Sequence, residues 1–411
     1  METHLADWIK GTPDGDDADA ILRACVHCGF CNATCPTYQV RGDELDGPRG
    51  RIYQIKQVLE GVPPTQSTQL HLDRCLTCLN CETTCPSGVR YGRLVDIGRM
   101  AVEQRVSRGT FDVFRRAMLR FALTRRWIFD PAVALGRTMR PLLPASLRKK
   151  LAPRREPGAT PRNTHAHKVI LLNGCVQPAL MPAIDAATSR VLDALGVETL
   201  VAANSGCCGA LDYHLDAHAA AREKARRNID AWWPLIQAGA EAIVINASGC
   251  GAMLKDYAHV LRGDPVYGEK AQRIAAMTRD LSEFLSPHIL SLGEKFTSVA
   301  KPRIAFHPPC TLQHAQKIRG VVESILTSLG ADLVPVADAH LCCGSAGTYS
   351  ILQPTLSQEL RARKLENLER NRPDEILSAN IGCLSHLESG TQIPVRHWIE
   401  WVDRRLQGGN A

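Results

Sequence analysis

No stretch of this 411-residue chain approaches the ~18 consecutive apolar residues needed to span a bilayer, so any work at a membrane depends on partners or on the protein's surface. The residues after Met1 lack the apolar core of a secretory leader. That lack, with 16 cysteines spread through so long a chain, argues against a disulfide framework. The glycine-rich Gly344-Ser345-Ala346-Gly347 has no phosphate-loop lysine, and no dinucleotide fingerprint is evident, so nucleotide binding is unsupported. Acidic residues nearly vanish between Arg105 and Arg155, where Asp112 and Asp130 stand against fourteen Lys or Arg. What remains is ordinary for a globular protein of two or three domains: 45% hydrophobic, 22% charged, net charge +7.

The cysteines are patterned. Cys25, Cys28, Cys31 and Cys35-Pro36, then Cys75, Cys78, Cys81 and Cys85-Pro86, each read C-x2-C-x2-C-x3-C-P, the run that holds [4Fe–4S] clusters in two-cluster ferredoxins. Three thiolates at intervals of three can wrap one face of a cubane. The fourth, turned away by its proline, is better placed for the neighbouring cluster. By that rule Cys25, Cys28, Cys31 and Cys85 hold one cluster, and Cys75, Cys78, Cys81 and Cys35 the other. Structural zinc would leave the third cysteine of each run unused. Asp16 to Ala24 reads as a helix entering the first run. Gly47-Pro48 opens another, with Ile52, Ile55, Val58 and Leu59 on one face, and Val95, Met100, Val102 and Val106 suggest a third. With 39 residues between Cys35 and Cys75, the domain reads as an α-helical ferredoxin.

In the basic stretch, Phe111, Phe114, Met118, Phe121, Trp127 and Phe129 recur near helical spacing among arginines, which suits an anionic lipid surface, a partner groove or an ordinary linker helix. No nucleic-acid module accompanies the charge. Five prolines from Pro141 to Pro161 mark a linker to His165.

Beyond it the chain repeats itself. Lys168–Leu172 and Arg303–His307 read as buried strands running into Cys175 and Cys310, followed by helices that end at Gly196 and Gly330. A second strand reaches Cys207-Cys208-Gly209 in one copy and Cys342-Cys343-Gly344 in the other, 32 residues after the first cysteine in both. A third strand leads to Cys250 and to Cys383. Each repeat should be a small α/β layer with right-handed crossovers and its cysteines at the carboxyl edge. Four soft ligands there suit a further metal or redox site; the alternative is buried free thiols. The expected fold is α plus α/β: an α-helical ferredoxin domain with two [4Fe–4S] clusters over 1–105, a basic amphipathic arm and Pro-rich linker over 106–165, and a duplicated α/β cysteine-rich domain with repeats over 166–290 and 300–405.

The twice-occurring Cys-x31-Cys-Cys-Gly segment resembles the cysteine-rich domain of heterodisulfide reductase subunits, where it can bind an unusual iron–sulfur cluster. That family commonly ends on a C-x-x-C pair, whereas here Ala247 and Met253 flank Cys250, and Asn380 and His386 flank Cys383. Longer matches, Leu22–Cys31, Gly42–Arg51, Asn228–Pro234, Cys310–Gln316 and His340–Tyr349, make the chain similar to the iron–sulfur subunits of bacterial glycolate oxidase (glycolate dehydrogenase) complexes, with Pro308 where close relatives can carry a further cysteine. The resemblance implies two flavoprotein-type partners whose FAD oxidises glycolate to glyoxylate, no catalytic residue on this chain, and electrons leaving through its clusters toward quinone at the cytoplasmic face of the inner membrane. Two rivals follow from the same resemblances: a thiol or disulfide reductase in its own right, or the electron-transfer subunit of a lactate or glycerol-3-phosphate dehydrogenase. His214, His218, His307 and His314 lie near the second cysteine set and could supply a ligand or move protons with a quinone. His27 reads as a spacer that could tune a cluster.

Overall fold

The computed structural model describes residues 1–142, 155–296 and 301–408. It divides into two compact units: Met1–Met118 with His214–Asp216 and His340–Lys364, and the remainder.

The first unit is helical. Pro13–Ala24 starts on Thr12, whose side chain accepts from Gly15 N at 3.0 Å, with Pro13 in the first turn and Asp14 and Asp16 facing the positive end of the helix. Pro48–Leu59 likewise begins with its proline, where the missing N–H costs nothing, and Gln66–Asp73 and Tyr91–Glu103 follow. Leu22, Ile55, Leu59, Leu72 and Leu94, fully buried, form the core these helices share, and Cys25, Cys75 and Cys81 belong to it. The segment carrying Cys342-Cys343 packs in this same unit: Asn80 Nδ2 donates to His340 O at 3.3 Å, and Tyr349 Oη to Arg74 O at 3.0 Å.

The second unit holds two parallel sheets. In the first, β1 (His167–Leu171), β2 (Val197–Leu200), β3 (Ala242–Ile245) and β4 (Thr278–Asp280) run in the order β2-β1-β3-β4, with Val169 opposite Ala242. The second repeats that order with β5 (Arg303–His307), β6 (Asp332–Leu333), β7 (Glu375–Ser378) and β8 (Val395–His397). Ala242-Ile243-Val244-Ile245 is buried throughout, as a central parallel strand covered on both faces requires. The repeats meet within this unit through Ser248 N donating to Ala379 O at 3.1 Å and Arg190 paired with Asp403 at 2.7 Å.

Two features differ from the sequence reading. Each sheet has a fourth strand, because Thr278-Arg279-Asp280 and Val395-Arg396-His397 are too short and polar to stand out alone and are strands through pairing with β3 and β7. The second strands also stop early. β2 ends at Leu200, after which Ser205 N bonds to Ala202 O in a turn, and Pro335, lacking an N–H, follows the short β6. Cys207-Cys208 and Cys342-Cys343 therefore sit on loops.

The basic stretch forms helices Thr110–Leu123 and Arg126–Thr138, on which Phe111, Phe114, Trp127 and Leu135 are exposed. Part of its charge is neutralised: Arg108 and Arg116 both pair with Asp73, at 2.6 and 3.0 Å, and Arg116 with Asp112 at 2.9 Å. Arg148, Lys149, Lys150, Arg154, Pro144 and Pro153 lie outside the described residues. No helix among the described residues is long and apolar enough to cross a membrane.

Candidate metal centres

The two cysteine runs fold into matching loops. Each places left-handed backbone at the same two motif positions, His27 (φ 58°) and Gly29 (φ 88°) in the first, Thr77 (φ 52°) and Leu79 (φ 60°) in the second. A non-glycine residue held there costs about 1–2 kcal/mol, and three of these four are not glycine. Such turns curl successive backbone N–H groups into a concavity of the kind that receives anions and iron–sulfur centres. Short helices, Phe30–Ala33 and Asn80–Thr84, then carry Cys31 and Cys81 inward. Cys35 and Cys85 follow in extended conformation, each halted by its proline; Pro36 opens the next helix.

The loops enclose two cavities. Cys25, Cys28, Cys31 and Cys85 line a recess of about 440 Å³ together with His27, Arg49 and Pro86. Cys35, Cys75, Cys78 and Cys81 line a second of about 290 Å³, with Thr37 and Arg51. Tyr91 and Cys81 line both. The fourth cysteine of each run thus faces the cavity of the other run.

The cavities differ electrostatically. Around the first, burial pushes the Cys25 thiol up and the Cys31 thiol to about 11, since an apolar wall disfavours thiolate. Around the second, burial pushes Cys81 well up, reinforced by Cys78 and Cys75. Burial acts upward on Cys75 too, but Arg51 and Arg99 together with the Thr77 amide and the Tyr91 hydroxyl turn its shift downward. Thr77 N donates to Cys75 Sγ at 3.4 Å and Tyr91 Oη at 3.6 Å, while Thr37 Oγ1 lies 3.2 Å from Cys35 Sγ. Arg99 holds the loop itself, donating to the carbonyls of Leu72 and Cys75 at 2.9 and 2.7 Å and to Thr77 Oγ1 at 2.9 Å. Asp46, fully buried, gathers Arg51, His71 and Arg74 at 3.5, 2.9 and 2.9 Å.

Both donor sets fit a [4Fe–4S] group: Cys25, Cys28, Cys31 and Cys85 around one recess and Cys35, Cys75, Cys78 and Cys81 around the other, with Cys81 reaching the wall of both, strained loops around them, and at the second recess the buried Arg51 Nη2, which has no hydrogen-bond partner among the described residues.

In the first cysteine-rich repeat, Cys175, Cys207, Cys208 and Cys250 come together as a hydrogen-bonded row of thiols. Cys175 and Cys208 donate toward Cys207 and, with Lys224 nearby, lower its pKa well below the thiol range; donating raises their own. Asn228 braces the loop, accepting from Gly206 N at 2.9 Å and donating to Cys207 O at 3.1 Å, and Tyr257 Oη donates to Cys208 O at 2.9 Å. Cys250 and Cys383 occupy the third residue of equivalent helices, Ser248–Lys255 and Ile381–Glu388. Asn380 stands where a C-x-x-C partner would, its Nδ2 donating to Cys383 Sγ at 3.8 Å. Cys310 and Cys383 belong to the second unit, Cys342 and Cys343 to the first.

Of the histidines, His307 and His314 are buried, and His218 packs edge-on against Tyr213 with ring centroids 4.5 Å apart. His214 belongs to the first unit. His27 is half-buried, with its Nδ1 3.3 Å from Met1 Sδ, and burial followed by Arg49 lowers its pKa. The sequence reading passed over Tyr91, Arg99, Thr37 and the buried role of Arg51. A charged residue on the apolar face of the Pro48–Leu59 helix was the available signal for Arg51.

Comparison with known proteins agrees with this geometry. A 4Fe-4S dicluster domain matches residues 21–89, and a cysteine-rich domain matches 169–255 and again 304–388. The glycolate oxidase iron-sulfur subunit of Escherichia coli (strain K12) is 52% identical over 409 residues, 99% of this chain and 100% of the relative. The probable glycolate oxidase iron-sulfur subunit of Bacillus subtilis (strain 168) is 29% identical over 90% of this chain and 89% of its own. Lactate utilization protein A of Geobacillus thermodenitrificans (strain NG80-2) is 31% identical over 58% of this chain and 99% of its own. With paired cysteine runs around two recesses and a duplicated cysteine-rich domain, the chain is an iron–sulfur electron-transfer protein that belongs to the glycolate oxidase iron-sulfur subunit family.

Proposed function

We propose that this chain carries single electrons from FAD on two partner flavoprotein subunits, which oxidise glycolate to glyoxylate, through two [4Fe–4S] clusters toward quinone. Cys25, Cys28, Cys31 and Cys85 ligate one cluster, and Cys75, Cys78, Cys81 and Cys35 the other. The observation that carries this reading is the crossed placement of the last cysteine of each run: Cys85 lines the recess of Cys25, Cys28 and Cys31, and Cys35 lines that of Cys75, Cys78 and Cys81, with Cys81 on the wall shared by both. The clusters supply one-electron redox chemistry; the protein's residues hold them at fixed separation, exclude water and set their order. Tyr91, lining both recesses with its hydroxyl on Cys75 Sγ at 3.6 Å, forms part of the wall between them.

The organisation we infer is a dicluster domain over 1–105, an arm and linker over 106–165, and cysteine-rich repeats over 166–290 and 300–405. Cys175, Cys207, Cys208 and Cys250 form a further metal or redox site in the first repeat, supported by its row of contacting thiols. Peripheral contact with the inner face of the cytoplasmic membrane is supported by the exposed Phe111, Phe114 and Trp127 among arginines.

Cys78→Ser in the assembled complex tests the reading: quinone and dye reduction should stop while flavin stays bound. Unchanged turnover refutes it.

A further inference from the structure

Two cysteine runs of one spacing end in unlike surroundings, and at the second Arg51 places a buried charge in the recess wall itself. It is 1% exposed and lines the recess of Cys35, Cys75, Cys78 and Cys81. Nε donates to His71 O at 2.8 Å and Nη1 to Thr37 Oγ1 at 3.1 Å, the same hydroxyl that lies 3.2 Å from Cys35 Sγ. Nη2 is buried without a hydrogen-bond partner among the described residues, 3.5 Å from Asp46 Oδ1. Asp46 itself is shared with His71, Arg74 and Arg41, so this one carboxylate faces several cations. The other recess is built differently. Cys28 is exposed, as are Val26 and Phe30 beside it. Its lining guanidinium, Arg49, is paired with Glu44 at 2.6 Å, and the Met1 ammonium, which donates to Cys25 O at 2.8 Å, is half-exposed.

Reduction adds one negative charge to a thiolate-bound cluster. Water stabilises that charge at the exposed recess, and burial penalises it at the closed one. A buried guanidinium reverses the penalty, because a positive charge a few ångströms away in a low-dielectric interior acts far more strongly than one in water. We propose that Arg51 is the potential-setting residue of this protein: its buried charge makes the cluster held by Cys35, Cys75, Cys78 and Cys81 the higher-potential of the two, so that electrons enter at the exposed recess and settle at the closed one. In that step one electron leaves the first cluster, oxidising it, and arrives at the second, reducing it; no bond forms or breaks and no proton moves. Arg51 acts through the cluster whose recess it lines and is a positioning residue. The inference rests on the two-cluster reading above.

The test is an EPR-monitored redox titration of the anaerobically purified full chain, as wild type, Arg51→Gln, Arg51→Lys, Cys28→Ser and Cys78→Ser. Two couples are expected in the wild type, with Cys78→Ser altering or removing the higher and Cys28→Ser the lower. Arg51→Gln should lower the higher couple by at least tenfold in its reduced-to-oxidised ratio, about 59 mV for one electron, and leave the other in place. Arg51→Lys, keeping the charge but not the fork of donors, should stay near the wild type. If Cys78→Ser strikes the lower couple, or if Gln and Lys shift the midpoint alike, or if neither moves it, Arg51 does not set the potential. Should Arg51→Gln fail to load iron, the assignment by the two serine variants decides. A wild type without two cubane signals refutes the functional reading instead.

Discussion

The glycine after each cysteine pair offers a graded test of how the pair is held. Gly344, Gly209 and Gly239 share a left-handed backbone, with φ of 88°, 92° and 97°, but differ in the space around them. A Cβ on Gly344 would stand 2.6 Å from Ser357 O and 3.0 Å from Leu360 Cβ; on Gly209 it would meet Ala221 O at 3.1 Å; on Gly239 nothing lies within 4 Å. Alanine at all three costs about 1 kcal/mol for the left-handed backbone. At Gly344 the clash is with backbone, so overpacking adds ~1–3 kcal/mol, and the bond from Ser357 Oγ to Gly344 O at 2.7 Å is disturbed. The expected order of destabilisation is Gly344→Ala at about 3 kcal/mol, Gly209→Ala at about 2 and Gly239→Ala at about 1. Thermal unfolding of the anaerobic holoprotein would show Gly344→Ala melting roughly 6–12 °C low, at about 2–4 °C per kcal/mol. Equal midpoints for Gly344→Ala and Gly239→Ala would refute the argument that close approach, and not only backbone angle, demands the glycine of the Cys-Cys-Gly turn.

Two buried groups of the cysteine-rich repeats predict opposite responses to pH. Burial lowers the pKa of His397 from 6.5 to about 3; its Nε2–H donates to Asn246 O at 2.8 Å and its Nδ1 accepts from Ile399 N, so the neutral ring is the one the fold requires. The unfolded chain takes up that proton first, and stability should fall as pH drops from about 6.5 toward 3. Asp280, raised from 3.8 to about 6 chiefly by burial, works the other way: the folded state holds its proton more tightly, so its contribution falls as pH rises through 4 to 6. Asp280→Asn, which keeps the helix cap on Ser282, should stabilise by on the order of 3 kcal/mol at pH 7 and by little at pH 4 in denaturation curves; a gain independent of pH refutes the assignment. Phe111→Ser/Phe114→Ser and Trp127→Ser should weaken co-sedimentation with vesicles rich in anionic lipid several-fold and leave dye reduction by the complex intact. Undiminished sedimentation would remove the support for membrane contact.

Chemistry at the cysteine runs was legible in residue order because iron–sulfur ligation is a local pattern: three thiols on one turn and a fourth before a proline fall on the same short segment. The duplication and the parallel strands were legible too, since buried parallel strands read as unbroken apolar runs such as Ala242–Ile245. The fourth strands β4 and β8 were not, because three polar-leaning residues become a strand only through a partner's hydrogen bonds. The end of β2 at Leu200 was equally hidden, being set by the turn around Ala202.

Sequence by itself determined which residues carry sulfur, how they are spaced, and that the second half is built twice. Tertiary structure alone decided what surrounds the sulfurs. Arg51, Arg99 and Tyr91 come from helices well separated in the chain from the loop they act on, and His71 and Asp46 reach the same network from two others. A charge influences a site through distance and dielectric, and neither is written in the order of residues: the same arginine is a solvated bystander in water and a strong local field when buried beside a thiolate.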